Sequence, residues 1–427
     1  MKIPRMENGV DMRIAYITQS YPPMVSGAAI FAGQLAENMA QRGHHVLVIT
    51  ASDRGAPYFA QKDRLSLLRL HSLPNPMRVG QRFALPARST VLRFLYNFHP
   101  DLIHTHDPFQ LGLTGAEYAR RAHIPVALSI HQLPWFVASY VPDLNGLHAH
   151  IESVLWNYAR WVLRKFTFVI TPTQTITDIV DKKTGIRPRT INYGIDLHTF
   201  SLSPLSPDLE LALRHRFDLP ARVPVLLHVG RLDTDKRVSR VIHAAALAMQ
   251  NTDAHLLIVG DGREKSALMT LCKSIGIAER AHFPGFITVD QGLPGIYRLA
   301  SLFITASEIE TQGIVLLEAA ASGLPIVAVR ATCIPETVHD GVNGYLAEPN
   351  DNIALGNAIT DLLIDPVKAK IMGKAGRRLV EKYNILATFD SLEHVYTDSI
   401  KQNTLQRPSE KVKVHKWQER AKEWLNL

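Results

Sequence analysis

The chain has 427 residues, too many for one ordinary domain and comfortable for two of roughly 200 each. With 46% hydrophobic and 20% charged residues, 25 glycines, 25 prolines and a mean hydropathy of −0.01, it is globular; disordered, collagen-like and disulfide-stapled chains are excluded. The net charge of +8 lies wholly in the first half: residues 1–199 hold 21 Lys and Arg against 13 Asp and Glu, whereas residues 200–427 hold 26 of each.

From Arg13 the chain reads strand, helix, strand. Arg13–Thr18 (RIAYIT) is a short apolar run, Phe31–Arg42 has helical periodicity, and His45–Thr50 is the next strand. Apolar runs at Leu102–His104, Val126–Ile130 and Phe168–Ile170 alternate with helical stretches, which implies a parallel, doubly wound sheet. Proline-rich Ser201–Pro207 (SLSPLSP) reads as a linker, and the pattern then restarts. Strand Pro224–Val229, helix Val238–Met249, strands Ala254–Val259 and Phe303–Thr305, a helix around Ile314–Ser322 and strand Pro325–Val329 follow. Two such α/β halves place the expected ligand site in a cleft between domains. The tail, with Trp417, Ala421, Trp424 and Leu425 at helical spacing, is expected to pack against the body. The expected domains are 1–200, 201–390 and a helical tail, 391–427, that returns to the first domain.

No run of eighteen uncharged apolar residues exists; the nearest, Gly313–Val329, is broken by Glu318, Ser322 and Pro325, so no span is expected. Lys2, Arg5, Glu7, Asp11 and Arg13 leave no room for the apolar part of a signal peptide. Cys272 and Cys333 are far apart and lack metal-ligand spacing, which fits a reduced, cytoplasmic setting. Between Arg64 and Pro100 stand Arg64, Arg69, Arg78, Arg82, Arg88 and Arg93 with no acid. Such a patch suits an anionic membrane or a polyanionic acceptor; the alternative is a solvated surface with scattered arginines.

Two constellations in the second half carry chemistry. Strand LLHVG ends at Gly230, followed at once by Arg231 and, five residues later, Lys236. Cations at the carboxyl end of a parallel strand project where ligands bind, and Arg grips phosphate bidentately while Lys adds a point charge. Downstream, Glu310 and Glu318 flank Gly313 and the start of a helix at Ile314, whose free N–H groups form an anion site. A carboxylate on each side of a diphosphate site suits two hydroxyl-rich groups, a ribose and a sugar.

At this point the residues resemble a known family. YPPMVSGAA (21–29), DLIHTHDPF (101–109), NYGIDLHTF (192–200), VGRLDTDK (229–236), IVGDG (258–262), SEIETQGIVLLEAAASGLPIVAV (307–329) and PETVHDGVNGYLAEP (335–349) stand in order. Together they resemble the retaining glycosyltransferases of family 4, with the GT-B fold of two Rossmann-like, doubly wound parallel-sheet domains facing a cleft. The resemblance covers roughly residues 12–400. It implies a nucleotide-sugar donor, with Arg231 and Lys236 on the diphosphate, Glu310 on the transferred hexose, and Glu318 on the ribose. Gly313, Ile314 and Val315 would supply main-chain N–H groups, Gly27 would face the phosphates from the first domain, and His131 would orient the sugar at the anomeric centre.

The resemblance also implies retention at the anomeric carbon, no metal and no cofactor, with UDP-hexose as the expected donor. The ETQG segment (310–313) resembles enzymes that glucosylate diacylglycerol. A lipid or lipid-linked acceptor at the cytoplasmic membrane face is therefore expected, with Arg82, Arg88 and Arg93 as its patch. No nucleic-acid partner is expected. The alternatives are a soluble or polysaccharide-precursor acceptor, a sugar-nucleotide epimerase on the same fold, or a non-catalytic carbohydrate-binding protein. A dinucleotide-dependent oxidoreductase is disfavoured because no G-x-G-x-x-G occurs at either first turn. Two departures stand out: Ser26-Gly27 replaces paired glycines, and Arg237 replaces a glycine after the lysine. His104, His106 and Asp107 have the types of metal ligands but are read as a strand end. Asp233-Thr234-Asp235, which has the D-x-D form, is read as coincidence.

Overall fold

The structure is a computed structural model describing residues 11–24, 26–75, 80–134 and 147–406. Arg78 and the tail positions from Trp417 to Leu425 lie outside the described residues. The chain divides into two compact units: residues 1–192 with 387–427, and residues 193–386.

The first unit is built on an eight-stranded sheet of order β10-β9-β8-β7-β1-β2-β4-β3. Its strands are β1 (Arg13–Ile17), β2 (His45–Ala51), β3 (Tyr58–Lys62), β4 (Leu65–Leu70), β7 (Leu102–Thr105), β8 (Val126–Ser129), β9 (Phe168–Thr171) and β10 (Arg189–Thr190). Every pairing is parallel except β3 on β4. A separate hairpin joins β5 (Ser72–Pro74) to β6 (Arg82–Ala84). Ile14, Ala15, Tyr16 and Ile17 of β1 are fully buried, as a central parallel strand covered on both faces requires. The first helix, Gly27–Gln41, starts four residues before the predicted Phe31.

Residues 387–406 join this unit through a buried polar lock. Arg42, 6% exposed, gives Nη1 to Glu393 Oε2 at 2.7 Å and to Asp390 Oδ1 at 2.6 Å, while His44 Nε2 meets Glu393 Oε1 at 3.1 Å. Buried Tyr396 adds a hydroxyl 2.6 Å from His104 Nδ1.

The second unit holds a six-stranded, all-parallel sheet of order β13-β12-β11-β14-β15-β16. Its strands are β11 (Val225–Val229), β12 (His255–Val259), β13 (Ala281–Gly285), β14 (Leu302–Ile304), β15 (Ile326–Val329) and β16 (Gly344–Ala347). Its first helix, Pro207–Arg216, has the expected end chemistry. Ser206 caps it, proline stands in the first turn with Asp208 and Glu210, and Arg214, His215 and Arg216 fill the last turn. The unit begins earlier than the expected residue 201. Ile195 N donates to Tyr383 O at 2.8 Å, Ile385 N donates to Ile195 O at 3.0 Å, and Arg377 Nη1 donates to Phe200 O at 2.8 Å. These bonds fasten 193–200 to the second unit, so SLSPLSP is not the boundary.

Candidate active site

In the second unit, the loops that follow β11 and β12 lie backbone against backbone. A Cβ on Gly260 (φ +150°) would fall 1.8 Å from Gly230 O, and one on Gly262 would fall 2.4 Å from Leu232 O. Only glycine permits that approach. The loop after β11 continues into a 3₁₀ turn, Thr234–Lys236, and Arg237 then adopts φ +50° before helix Val238–Met249. Where the family carries glycine, this chain therefore holds an arginine in the left-handed region, at a cost of about 1–2 kcal/mol.

Arg231 is held by its own loop. Its Nη1 bonds Asp233 Oδ2 and its Nη2 bonds Asp235 Oδ2 at 2.7 Å, with the Asp235 side chain fully buried. The two carboxylates of Asp233-Thr234-Asp235 thus aim the guanidinium, a role the sequence reading does not assign to them. Among the described residues no group of three or more His, Cys, Asp or Glu side chains is arranged to hold a metal.

Lys236 and Glu310 form one ion pair, Nζ to Oε1 at 2.5 Å, with both side chains mostly buried. Glu310 is fixed through its backbone: its N–H donates to Thr332 Oγ1 at 3.2 Å and its carbonyl accepts from Cys333 Sγ at 3.3 Å. Arg240 and Glu308 make a second ion pair. Beneath them, His228 of β11 donates Nδ1–H to Ile304 O at 2.9 Å, and burial lowers its pKa to about 4.

Helix Ile314–Ala321 opens at Gly313, φ +69°, where a Cβ would meet Leu316 Cδ1 at 2.8 Å. Leu316 N and Leu317 N both donate to Gly313 O, so Ile314 and Val315 are the first-turn N–H groups that the helix itself leaves without an acceptor. Glu318 stands just over one turn further on. Tyr297 Oη donates to its Oε2 at 2.6 Å, yet burial outweighs this bond and raises the carboxyl pKa to about 7. Tyr297 carries no motif and is invisible to sequence reading. The second unit thus joins Lys236 to Glu310, places Arg231 in the loop that leads to Lys236, and keeps Glu318 on a separate partner.

In the first unit, Gly27 is the exposed first residue of its helix, and Ser26 Oγ accepts Ala29 N at 3.1 Å. The serine that replaces the first of two glycines is a helix cap. His131, which follows β8, belongs to a row of stacked imidazoles. Its Nε2 lies 2.7 Å from His106 Nδ1, and His106 stacks on His104 with centroids 4.5 Å apart. His104 bonds Tyr396 Oη and Ser129 Oγ at 2.6 and 2.9 Å. Burial lowers the pKa of both His104 and His131 to about 3 and drives that of His106 well down, so all three are neutral at neutral pH.

The arginine patch needs correction. Arg69 is 2% exposed and donates to Ala51 O and Pro22 O, so it does not face a surface. Arg82 folds onto Ser72, Nε to Oγ at 2.8 Å, and Arg88 pairs bidentately with Glu117. Arg64 pairs with Asp11 at 3.0 Å. Arg93 is exposed, and Phe83 is exposed opposite exposed Leu73 on the β5–β6 hairpin.

Comparison with known proteins identifies the family and the fold. Residues 25–199 match Glycosyltransferase Family 4, and residues 212–379 match Glycosyl transferases group 1. The chain is 28% identical over 355 residues to an alpha-monoglucosyldiacylglycerol synthase of Streptococcus pneumoniae, covering 83% of this chain and 78% of that one. It is 27% identical to the sulfoquinovosyl transferase SQD2 of Arabidopsis thaliana, covering 87% and 71% respectively. Among solved structures, sucrose-phosphate synthase of Thermosynechococcus elongatus superposes with a TM-score of 0.75 at 24% identity, covering 90% of this chain and 98% of that one. HepE of Anabaena, in complex with UDP-glucose, gives 0.71 at 21%, covering 91% and 100%. Two parallel-sheet units, both family matches in order and these relatives make one statement: the chain belongs to the family 4, group 1 glycosyltransferases of the GT-B fold.

Proposed function

We propose that this glycosyltransferase moves a hexosyl group, with retention, from a UDP-hexose to a hydroxyl of a lipid or lipid-linked acceptor at a membrane surface. The observation that carries the donor half is the loop after β11, where two aspartates aim Arg231 and Lys236 stands against Glu310. As the bond from the anomeric carbon to the diphosphate breaks, charge grows on the leaving oxygen, and aimed cations stabilise it by about 3–4 kcal/mol per donor lost in comparable sites. The acceptor oxygen attacks on the same face, and its proton passes to the departing diphosphate.

Charge counting adds a detail. Arg231 and Lys236 face Asp233, Asp235 and Glu310, so the unliganded cluster is net negative by one. A diphosphate gains most from Lys236 when Glu310 turns to the hydroxyls of the hexose. Glu310 and His131 are then the residues at the sugar; Gly27, Arg231, Lys236, Gly313, Ile314 and Val315 serve the phosphates; and Glu318 serves the ribose.

For the acceptor, support comes from a relative whose name denotes the synthesis of a glucosylated diacylglycerol. No helix among the described residues is long and apolar enough to cross a membrane, so attachment would be peripheral. Exposed Arg93 and the Leu73–Phe83 pair are the surface elements proposed for it, in place of the whole arginine patch.

The test is a donor panel followed by product analysis. UDP-glucose, UDP-galactose, UDP-GlcNAc and GDP-mannose are compared by thermal shift, where a ligand at 100 times its Kd adds about 2.7 kcal/mol. The stabilising donor is then offered diacylglycerol in vesicles or soluble hydroxyl acceptors, and the anomeric configuration of the product is read by NMR. Transfer only to soluble acceptors would overturn the lipid reading, and an inverted product would overturn retention.

A further inference from the structure

The histidine row of the first unit contains a polar atom that the proposed chemistry does not use. His106 is 8% exposed, and its Nε2 is buried with no hydrogen-bond partner. Its other nitrogen, Nδ1, lies 2.7 Å from His131 Nε2. Both rings are neutral, so one nitrogen of that pair carries the proton and the other accepts it.

The orphaned Nε2 decides between the two arrangements. If His131 Nε2–H were the donor, His106 would carry its own proton on Nε2, leaving a buried N–H without an acceptor. Orphaned buried N–H groups are rarer than bare acceptors. If His106 Nδ1–H donates, its Nε2 is only a bare lone pair, and His131 must hold its proton on Nδ1. The neighbours hold the His106 ring in that pose. His104 stacks on one face at 4.5 Å, Phe31 meets it edge-on at 6.0 Å, and Tyr16 lies 6.3 Å away. His104 is itself fixed at both nitrogens by Tyr396 and Ser129. The ionisable groups that meet the row from neighbouring elements include His104 and Tyr16, with Tyr396 bonded to His104.

We propose that His106 is a positioning residue that locks His131 in the Nδ1–H tautomer, so that His131 offers a neutral N–H donor to the donor sugar. This rests on the reading that His131 faces the sugar, and it adds which atom faces it and what sets that atom. Asn, Asp and Leu at position 106 separate the possibilities. The Asn amide can replace the Nδ1–H donor; the Asp carboxylate is acceptor-only and forces a proton onto His131 Nε2; Leu offers neither.

The experiment uses full-length protein labelled with ¹⁵N-histidine, read by two-bond ¹H–¹⁵N correlation, which identifies the protonated nitrogen. Wild type and His106→Asn should show His131 protonated on Nδ1. His106→Asp should switch it to Nε2 and raise its titration midpoint, and His106→Leu should give a mixture. Turnover of the stabilising nucleotide sugar should survive in His106→Asn and fall roughly tenfold or more in His106→Leu. A wild-type His131 protonated on Nε2, or a tautomer indifferent to the residue at 106, overturns the proposal. His131→Ala with full turnover would instead remove His131 from the sugar while leaving the tautomer result in place.

Discussion

Nucleotide binding should depend on pH through Glu318, and a glutamine there should remove that dependence. Burial raises this carboxyl from 4.5 to about 7, with the hydrogen bond from Tyr297 opposing. Without ligand, the unfolded chain ionises at 4.5 and the folded chain only near 7. The group's contribution to stability is therefore full below pH 4.5 and is lost as pH rises through about 7. A ribose reverses the preference, because its hydroxyls donate to the ionised form, where hydrogen bonds are worth about 1.5–3 kcal/mol. At about pH 6 only about one-tenth of the carboxyl is ionised, so affinity should be close to tenfold weaker than at about pH 8, or about 1.4 kcal/mol. Glu318→Gln should lose roughly ten- to hundredfold at pH 8 and much less at pH 6. Calorimetric titration with UDP at both pH values measures this. The terminal phosphate of UDP ionises over the same range, but it contributes equally to both proteins, so only the difference between their pH slopes counts. Parallel slopes, or an unchanged affinity in the variant at pH 8, would take Glu318 away from the ribose.

Arg231→Ala and Lys236→Ala should each lower kcat/KM by about 100-fold with the fold intact, and full activity in both folded variants would refute the diphosphate assignment. Glu310→Gln should collapse turnover while leaving UDP affinity equal or a few-fold tighter, because it releases Lys236 from its ion pair; weaker UDP binding would contradict that exchange. Gly260→Ala should cost at least about 3 kcal/mol in denaturant titration, since its Cβ would fall on a backbone carbonyl, and a loss within experimental error would mean that the loops part easily. Wild type should sediment with anionic vesicles at low salt and release near 1 M, where the Debye length shrinks to about 3 Å; Arg93→Glu with Phe83→Ser should sediment less, and equal sedimentation would remove that surface from the acceptor reading.

The central strands were legible because parallel strands covered on both faces are continuous apolar runs, as in β1, β8 and β12. The edges were not. β3 (YFAQK) is exposed along most of its length, β13 (AHFPG) contains a proline, and β16 (GYLA) is four residues long. At the candidate site, local spacing singled out Arg231, Lys236, Glu310 and Glu318 but not the partners the fold gives them. Asp233 and Asp235 were in view and set aside as a metal motif, but nothing in their spacing disclosed that they brace an arginine. Tyr297 lies 21 residues before Glu318, and Tyr396 lies 292 after His104, so only folding brings these pairs together. The arginine count misled for the converse reason: one-dimensional charge does not tell a surface cation from Arg69 in the core.

The two units also differ in how they treat charge, and the difference suits the steps assigned to them. In the second unit, Arg231, Lys236, Asp233, Asp235 and Glu310 are ionic and interlocked, as a partner for a departing diphosphate needs. In the first unit, His104, His106 and His131 are stripped of charge by burial. In glycosyl transfer the anomeric carbon becomes cationic at the transition state. An imidazolium 4 Å from that carbon would oppose it by about 4 kcal/mol at an effective dielectric of 20, close to a thousandfold in rate. A neutral N–H can hold a sugar hydroxyl without that penalty. Packing the row between Phe31, Tyr16 and Tyr396 therefore does more than fill a core: it keeps His131, the residue proposed for the sugar, from becoming a cation.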